Sequence, residues 1–154
     1  MIASPSVPEV RLVQPIIEVR LVRDAEKPKV RVKRAEDVVE LCKDMRSLDR
    51  EHFRALYLDS RNGLLGMETV AIGTLNATMI HAREVFKAAF LLNAAAVVLV
   101  HNHPSGDPTP SNDDVKMTKQ LVRAGNLLGI EVLDHIIIGE GWRSLVESEA
   151  APKP

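Results

Sequence analysis

The sequence predicts an α/β (α+β) fold: a three-layer sandwich with a mixed central β-sheet flanked by helices. Three observations carry this. Segments with strand-type patterning alternate with segments of helical periodicity along most of the chain. The longest apolar run, residues 94–100, is valine-rich and has no polar face, as expected of a strand covered on both sides. The 154 residues suit one domain, and no composition shift marks a boundary after residue 35.

The elements follow in order. Residues 16–23 alternate in their second half, with Glu18 and Arg20 against Val19 and Leu21, and residues 29–33 alternate strictly. With DAEKP between them they predict a basic β-hairpin, or a pair of edge strands, inside an N-terminal extension of residues 1–34. Residues 35–46 place Ala35, Val38, Val39, Cys42 and Met45 at helical spacing, which predicts one amphipathic helix. Residues 53–59 read as a strand, 60–63 contain an Asn-Gly turn signal, and 64–74 read as the returning strand. Residues 82–93 fit a helix and 95–100 the buried strand. A proline-rich loop runs from 101 to 110. Residues 111–128 form a helix with Val115, Thr118, Leu121, Val122 and Leu128 inward and Gly129 as its C-terminal cap. Residues 130–138 make another strand and 143–146 a short last one. The domain proper spans 35–148, and 149–154 read as a disordered tail.

Composition excludes several classes. With 45% hydrophobic and 27% charged residues the chain reads as an ordinary globular protein, too short for a TIM barrel, which typically needs about 250 residues. No run approaches the ~20 apolar residues of a membrane span. The first ten residues lack the pattern of a signal peptide. One cysteine, Cys42, permits neither an intrachain disulfide nor a cysteine-ligated zinc, and the default setting is cytoplasmic. The net charge of -1 argues against a generally basic nucleic-acid binder. It hides an asymmetry: residues 1–34 hold eight Lys/Arg against four Asp/Glu, and the remainder twelve against seventeen. Of the five aromatics, Phe53, Phe86 and Phe90 fall in core patterns, so no stacking platform for single strands is visible. Alternating Lys/Arg at the N-terminus is also how edge strands avoid aggregation, and that reading is preferred to DNA contact. A homodimer through the edge strands stays open.

The stretch VLVHNHPSGDPTPSNDD carries the chemistry. His101 and His103 stand two apart where the apolar strand ends, so a period of two sends both imidazoles to one side. Neutral imidazole is the commonest metal ligand. Asp114 lies in the first turn of the next helix, where the loop can fold it back over the strand end. Two histidines and one carboxylate leave a fourth position open for water, the pattern of a catalytic zinc. Each piece has a plainer reading: a polar strand terminus, a capping box made by Ser111 and Asp114, and a loop rich in Pro, Gly and Asp for turn reasons. Their convergence on one point favours the metal site. Asp107 is placed in a turn, with a contact to an imidazole as the alternative. His135 is read as a satisfied core histidine on the same side as Leu133 and Ile137, and His52 and His81 as surface or element-end residues. The letters His-Asn-His are no evidence for an HNH nuclease.

His101-x-His103, seven residues, Ser111, two residues and Asp114 resemble the His-x-His-x7-Ser-x2-Asp signature of the JAMM (MPN) metalloprotease family. Within it, HNHPSGDPTPSNDD, the preceding TLNATMIHAREVFKAAFLLNAAAVVLV and the following LDHIIIG resemble the RadC-like (JAB) branch. The resemblance covers residues 35–147. It implies a sandwich of the cytidine-deaminase-like type, with Zn2+ held by His101, His103 and Asp114. It makes His135 a candidate contact of a ligand. It also implies an upstream glutamate that holds the attacking water. Glu51, between the first helix and the first long strand, and Glu84, at the start of the helix leading into the metal-bearing strand, are the candidates. Topology favours Glu51, and Glu68 is a third, read as an exposed strand residue. The implied activity is hydrolysis of a peptide or isopeptide bond in a peptide or protein substrate. Glu51 would serve as proton carrier and Ser111 as a donor to the oxyanion. The alternatives are a DNA-repair-associated binding module, acting through the basic hairpin, and a metal-dependent nuclease. Members of the RadC branch usually carry an N-terminal helix-hairpin-helix-like region, for which 34 residues leave little room, so the chain is read as a short form.

Overall fold

The computed structural model describes residues 30–73 and 80–146. Strands β1 (His52–Leu58) and β2 (Leu64–Ile72) form an antiparallel hairpin. Asp59 closes their connection: its carboxylate accepts the N–H groups of Arg61 and Gly63, both at 2.8 Å. Asn62 takes the left-handed conformation that the Asn-Gly signal anticipates, with φ 58°. On its other edge β1 pairs antiparallel with β3 (Ala96–Asn102), which pairs parallel with β4 (Glu131–Ile138), which pairs antiparallel with β5 (Trp142–Ser144). The order is β2-β1-β3-β4-β5, a mixed sheet with β3 at its centre. The parallel step needs a crossover, and α3 (Asn112–Leu128) supplies it.

Helices cover both faces. On one, Phe53, Ala55 and Tyr57 of β1 and Val97 and Leu99 of β3 pack with Val85, Phe86 and Ala89 of α2 (Ala82–Leu91) and with Met117 and Leu121 of α3. On the other, Leu56, Leu58, Val98, Val100, Ile136 and Ile138 meet Val38 and Val39 of α1 (Ala35–Leu41), Cys42, and Met45 of a 3-10 helix at Lys43–Ser47. All seven residues of β3 are buried, and the period of two divides them between the two cores. Burying each large side chain fully contributes about 1.5–3 kcal/mol, which fixes the height of every strand against its helices. The expected three-layer sandwich is the observed one.

Several expectations change in detail. The helix expected over 35–46 breaks at Cys42, where Met45 N–H bonds back to the Cys42 carbonyl at 2.9 Å and the chain tightens to 3-10. Val39, Cys42 and Met45 are three apart, a spacing that suits both helix types, so the pattern could not choose between them. β3 runs through His101 and Asn102, beyond the strand end that the sequence predicts; pairing with β4 as far as Asn102–Ile138 holds them in the strand. β5 spans Trp142–Ser144, one residue earlier at its start and ending before Leu145. The buried face of α3 is Asp114, Met117, Thr118, Leu121 and Gly125; Leu128 is 40% exposed and Val115 half-buried, so the helix is turned toward the site. Phe90 is 56% exposed and is not a core residue. α2 ends at Leu91, and Asn93 takes a positive φ of 52°. Residues 30–32 run along the β1–β2 turn, with Arg31 bridging Gly63, Val32 N–H bonding to Asn62 O (2.9 Å) and Leu64 N–H to Val30 O (2.8 Å). The other strand of the expected hairpin, Thr74 and the tail lie outside the described residues. Among the described residues no helix is long and apolar enough to cross a membrane.

Two glycines shape the site end of the sheet. Gly129 closes α3 with φ 71°, the left-handed cap expected of it. At Gly139, just after β4, a Cβ would stand 2.2 Å from the Gly106 carbonyl. Only glycine lets the loop that follows His103 lie this close against the sheet.

Candidate metal centre

His101 is the sixth residue of β3 and shares its face with Val97 and Leu99, toward α2 and α3. His103 follows two residues on, and its Nε2 lies 2.9 Å from His101 Nε2. Asp114 sits in the first turn of α3, with Oδ1 3.1 Å from His101 Nε2 and Oδ2 3.3 Å from His103 Nε2. Among the described residues these three form a group able to hold a metal ion, their donor atoms within 4.8 Å of one another. The His101 and Asp114 side chains are 1% and 6% exposed, and that of His103 is 14% exposed, so the cluster opens to solvent on the His103 side.

The helix start is built as the sequence implied. Ser111 is the N-cap of α3: its hydroxyl accepts Asp114 N–H (3.1 Å), and the Asp114 carboxylate accepts Ser111 N–H (2.7 Å). The plain reading of Ser-x-x-Asp as a capping box is therefore present, and the same box aims the carboxylate at the histidines.

The outer nitrogens of both rings are engaged. His103 Nδ1 lies 2.8 Å from the Asp107 backbone carbonyl, which can only accept, so Nδ1 carries a proton and in the neutral ring the Nε2 lone pair faces inward. Asp107 thus touches the imidazole through its main chain, while its carboxylate takes the Thr109 N–H of the turn (2.9 Å). His101 Nδ1 lies 2.8 Å from His135 Nε2, and His135 Nδ1 lies 2.5 Å from Thr118 Oγ1. The Thr118 hydroxyl donates its proton to the Asp114 carbonyl (2.7 Å). It must then accept from His135 Nδ1–H, leaving His135 Nε2 to accept from His101 Nδ1–H. The His101 Nε2 lone pair is left facing the carboxylate. His135 is fully buried, and both of its ring nitrogens have partners. It is the satisfied core histidine expected and a direct contact of His101 as well.

The face of His135 was expected from the wrong neighbour. Val97 pairs with Val132 but Val98 pairs with Asp134, so Leu133 is an extra residue in β4. Beyond this bulge His135 and Ile137 face the site, while Leu133 packs in the opposite core. Phe53 floors the cluster, its ring stacked against His101 at 6.3 Å between centroids and edge-on to His135 at 5.4 Å.

Electrostatics follow from this packing. The hydrogen bond to Asp114 raises the His103 pKa against the opposing effect of burial, with help from the Asp107 carbonyl and the charge of Glu51. Burial pushes Asp114 up, but its bonds to His101 and His103 outweigh this and hold it well below the usual carboxylate range. Burial, then the neighbouring His101, lowers the His135 pKa and keeps the ring neutral.

The donor chemistry fits a zinc ion. Two inward Nε2 lone pairs 2.9 Å apart beside a carboxylate repel one another unless a proton or a metal cation lies between them. A tetrahedral zinc with bonds of about 2.0–2.1 Å sets donor–donor edges of about 3.3 Å, close to the 2.9–3.3 Å found here.

The glutamates separate. Glu51 immediately precedes β1 and is half-buried. It lies just beyond the last β1–β3 rung, Phe53–His101, and its charge acts on His103. Glu84 bonds Lys87 and Arg83 on the exposed side of α2, its carboxyl held below its usual pKa chiefly by Lys87. Glu68 is half-buried, not exposed as expected, and accepts the Tyr57 hydroxyl at 2.6 Å. His52 is half-buried at the start of β1, and His81 is exposed at the start of α2. The sequence set Thr118 inward on its helix but gave it no part in the site, and it did not single out Asn102. Thr118 stands four residues after Asp114, on its face of the helix, and that spacing was a usable signal. Nothing local marks Asn102, whose partners lie about fifty residues away.

A family profile described as "RadC-like JAB domain" matches residues 32–150. A UPF0758 protein of Caldanaerobacter subterraneus is 56% identical over 107 residues, which cover 69% of this chain and 46% of that protein. One of Desulforamulus reducens is 54% identical over 115 residues (74% and 51%), and one of Methanosarcina mazei 50% over 123 residues (79% and 54%). The matched stretch spans about half the length of these curated relatives. With a profile match over most of its length and a sheet, helices and donor cluster consistent with that domain, the chain belongs to the RadC-like JAB domain family.

Proposed function

We propose that this chain is a zinc-dependent hydrolase of the JAMM type that cleaves a peptide or isopeptide bond in a peptide or protein substrate. The observation that supports it most is the inward donor set, with the outer nitrogen of each imidazole already committed to a partner. His101 Nε2, His103 Nε2 and an Asp114 carboxylate oxygen would hold the zinc, three protein ligands that would leave it open to a water. When bound, zinc supplies Lewis acidity, lowering the pKa of a water from about 15.7 toward about 7 and polarising the substrate carbonyl. Glu51, just beyond the Phe53–His101 rung and with its charge acting on His103, takes the proton of the attacking water and delivers it to the leaving nitrogen. The Ser111 cap uses an oxygen lone pair, which leaves the hydroxyl proton to donate to the oxyanion of the tetrahedral intermediate. Among the described residues no second cluster of carboxylate and imidazole ligands stands beside the first, which favours amide over phosphodiester hydrolysis.

Metal analysis and a substrate panel test this reading. The wild-type protein is expected to hold about one zinc per chain, and His103→Ala to lose it. With peptide and isopeptide substrates, Glu51→Gln should keep the zinc and lose hydrolysis by about 100-fold or more. A wild-type protein without stoichiometric zinc contradicts the metal site, and equal rates for wild type and Glu51→Gln remove Glu51 from its role.

A further inference from the structure

His101 and His103 flank Asn102, whose side chain points the other way, into the face shared with Val98 and Val100. Its main chain is committed to the sheet, where Asn102 is the partner of Ile138 in β4. Its side chain is 99% buried with the residue and reaches across to the strand on the opposite side. There Asn102 Oδ1 accepts His52 N–H at 2.7 Å, and Asn102 Nδ2 donates to the Arg50 carbonyl at 3.1 Å. A backbone N–H only donates and a carbonyl only accepts, so these partners also fix which way the amide is turned.

Glu51 is the residue between these two groups. The Cα pairing of β1 with β3 ends at Phe53–His101. One step further out the side-chain amide of Asn102 takes the place of a backbone rung, gripping the chain before and after Glu51. On the outer side, Glu51's own carbonyl accepts Gly73 N–H at 2.8 Å, just past the end of β2. The peptide groups around Glu51 are thus held from both neighbouring strands, and the inner grip comes from the middle residue of the same tripeptide that supplies both imidazoles.

We propose that Asn102 is a positioning residue that sets Glu51 against the metal centre, so that the His-Asn-His tripeptide carries two imidazole ligands on one face of the sheet and a clamp for the proton carrier on the other. The proposal rests on the reading of Glu51 given above. A buried side chain of apolar character at this position leaves His52 N–H and Arg50 O without their partner and frees the Glu51 backbone to shift. A misplacement of about 1 Å costs on the order of 100-fold in rate.

The test compares wild type, Asn102→Leu, which keeps the volume and removes both bonds, and Asn102→Asp, which keeps the acceptor for His52 and removes the donor for Arg50. Zinc content and thermal melting identify a variant that does not fold. Two readouts follow in the folded variants: exchange of the His52 amide, and the carbon chemical shift of the Glu51 carboxyl with and without added zinc. The expected result is zinc content near that of wild type, His52 exchange faster by about tenfold or more in Asn102→Leu, and a Glu51 shift that no longer responds to zinc as it does in wild type. With a cleavable panel substrate, kcat is expected to fall about 100-fold while KM stays within about twofold. A Glu51 carboxyl in Asn102→Leu that responds to zinc as in wild type overturns the proposal, as does an unchanged kcat. If Asn102→Leu does not fold, Asn102→Asp decides by the same Glu51 readout. If the wild type cleaves nothing, the hydrolase reading fails, and the zinc response of Glu51 still decides the role of Asn102.

Discussion

The proton on His135 Nδ1 decides that in the neutral His101 ring the nitrogen facing Asp114, Nε2, is bare. Thr118 holds that proton in place because its own hydroxyl hydrogen is spent on the Asp114 carbonyl. Replacing Thr118 with Val removes the acceptor with little change in volume. His135 then loses its reason to carry the proton on Nδ1, and His101 its reason to present a bare Nε2. Thr118→Val is expected to lower zinc affinity about 10–100-fold, and Thr118→Ser to restore most of it, by competition with a chelator. Affinity within about twofold of wild type in Thr118→Val contradicts the relay. His103 gives a pH dependence. Its pKa is raised in the metal-free protein, first by Asp114, so its proton contributes stability below about pH 6.5 and that contribution is lost as pH climbs through the raised value. Zinc needs the bare Nε2 and must displace this proton. Zinc affinity should therefore increase with pH, by about tenfold per unit while His103 is protonated, and then level off. Calorimetry in buffers of different ionisation heat measures the proton released; a binding constant independent of pH from about 6 to about 8 contradicts it.

α3 is the element that joins packing to chemistry. Its N-cap box orients Asp114, its face carries Thr118 against His135, and Met117 and Leu121 fix its height over the sheet. Substitution can separate the Ser111 cap from the oxyanion donation proposed for it. Ser111→Ala loses the cap and is expected to cost about 1 kcal/mol, whereas Ser111→Gly costs only a few tenths, read by denaturant unfolding. Both remove the hydroxyl, so both should slow hydrolysis by about 100-fold if it donates to the oxyanion. Wild-type turnover in Ser111→Gly would leave Ser111 with capping alone. At this scale spacing gave the helix and its cap but not the buried face. Asp114 and Thr118 turn inward because they bond to groups on β3 and β4, and that rotation leaves Leu128 40% exposed. β4 shows the same limit: alternation pairs His135 with Leu133, and the bulge seated against β3 separates them.

For the whole molecule, the cluster ties β3, the loop after it, α3 and β4 together, so a metal bound there would be coupled to folding. Free zinc at about 100 times its Kd should stabilise the protein by about 2.7 kcal/mol, a rise in Tm of roughly 10 °C. His103→Ala should show no such rise. An equal zinc-induced shift in that variant places the binding elsewhere. The sequence by itself determined the order of strands and helices, the sandwich class, and the meeting of His101, His103 and Asp114. These follow from local periodicity, from imidazoles two apart on one strand, and from a carboxylate in the first turn of the next helix. Tertiary structure alone decided the surroundings of Glu51, Glu68 and Glu84, the contact of His135 with His101, the bonds of Thr118, and the grip of Asn102 on the chain around Glu51. Each of these depends on which strand lies beside which and in what register. Spacing along the chain does not encode register, because the two cores are closed by contacts between side chains far apart in sequence.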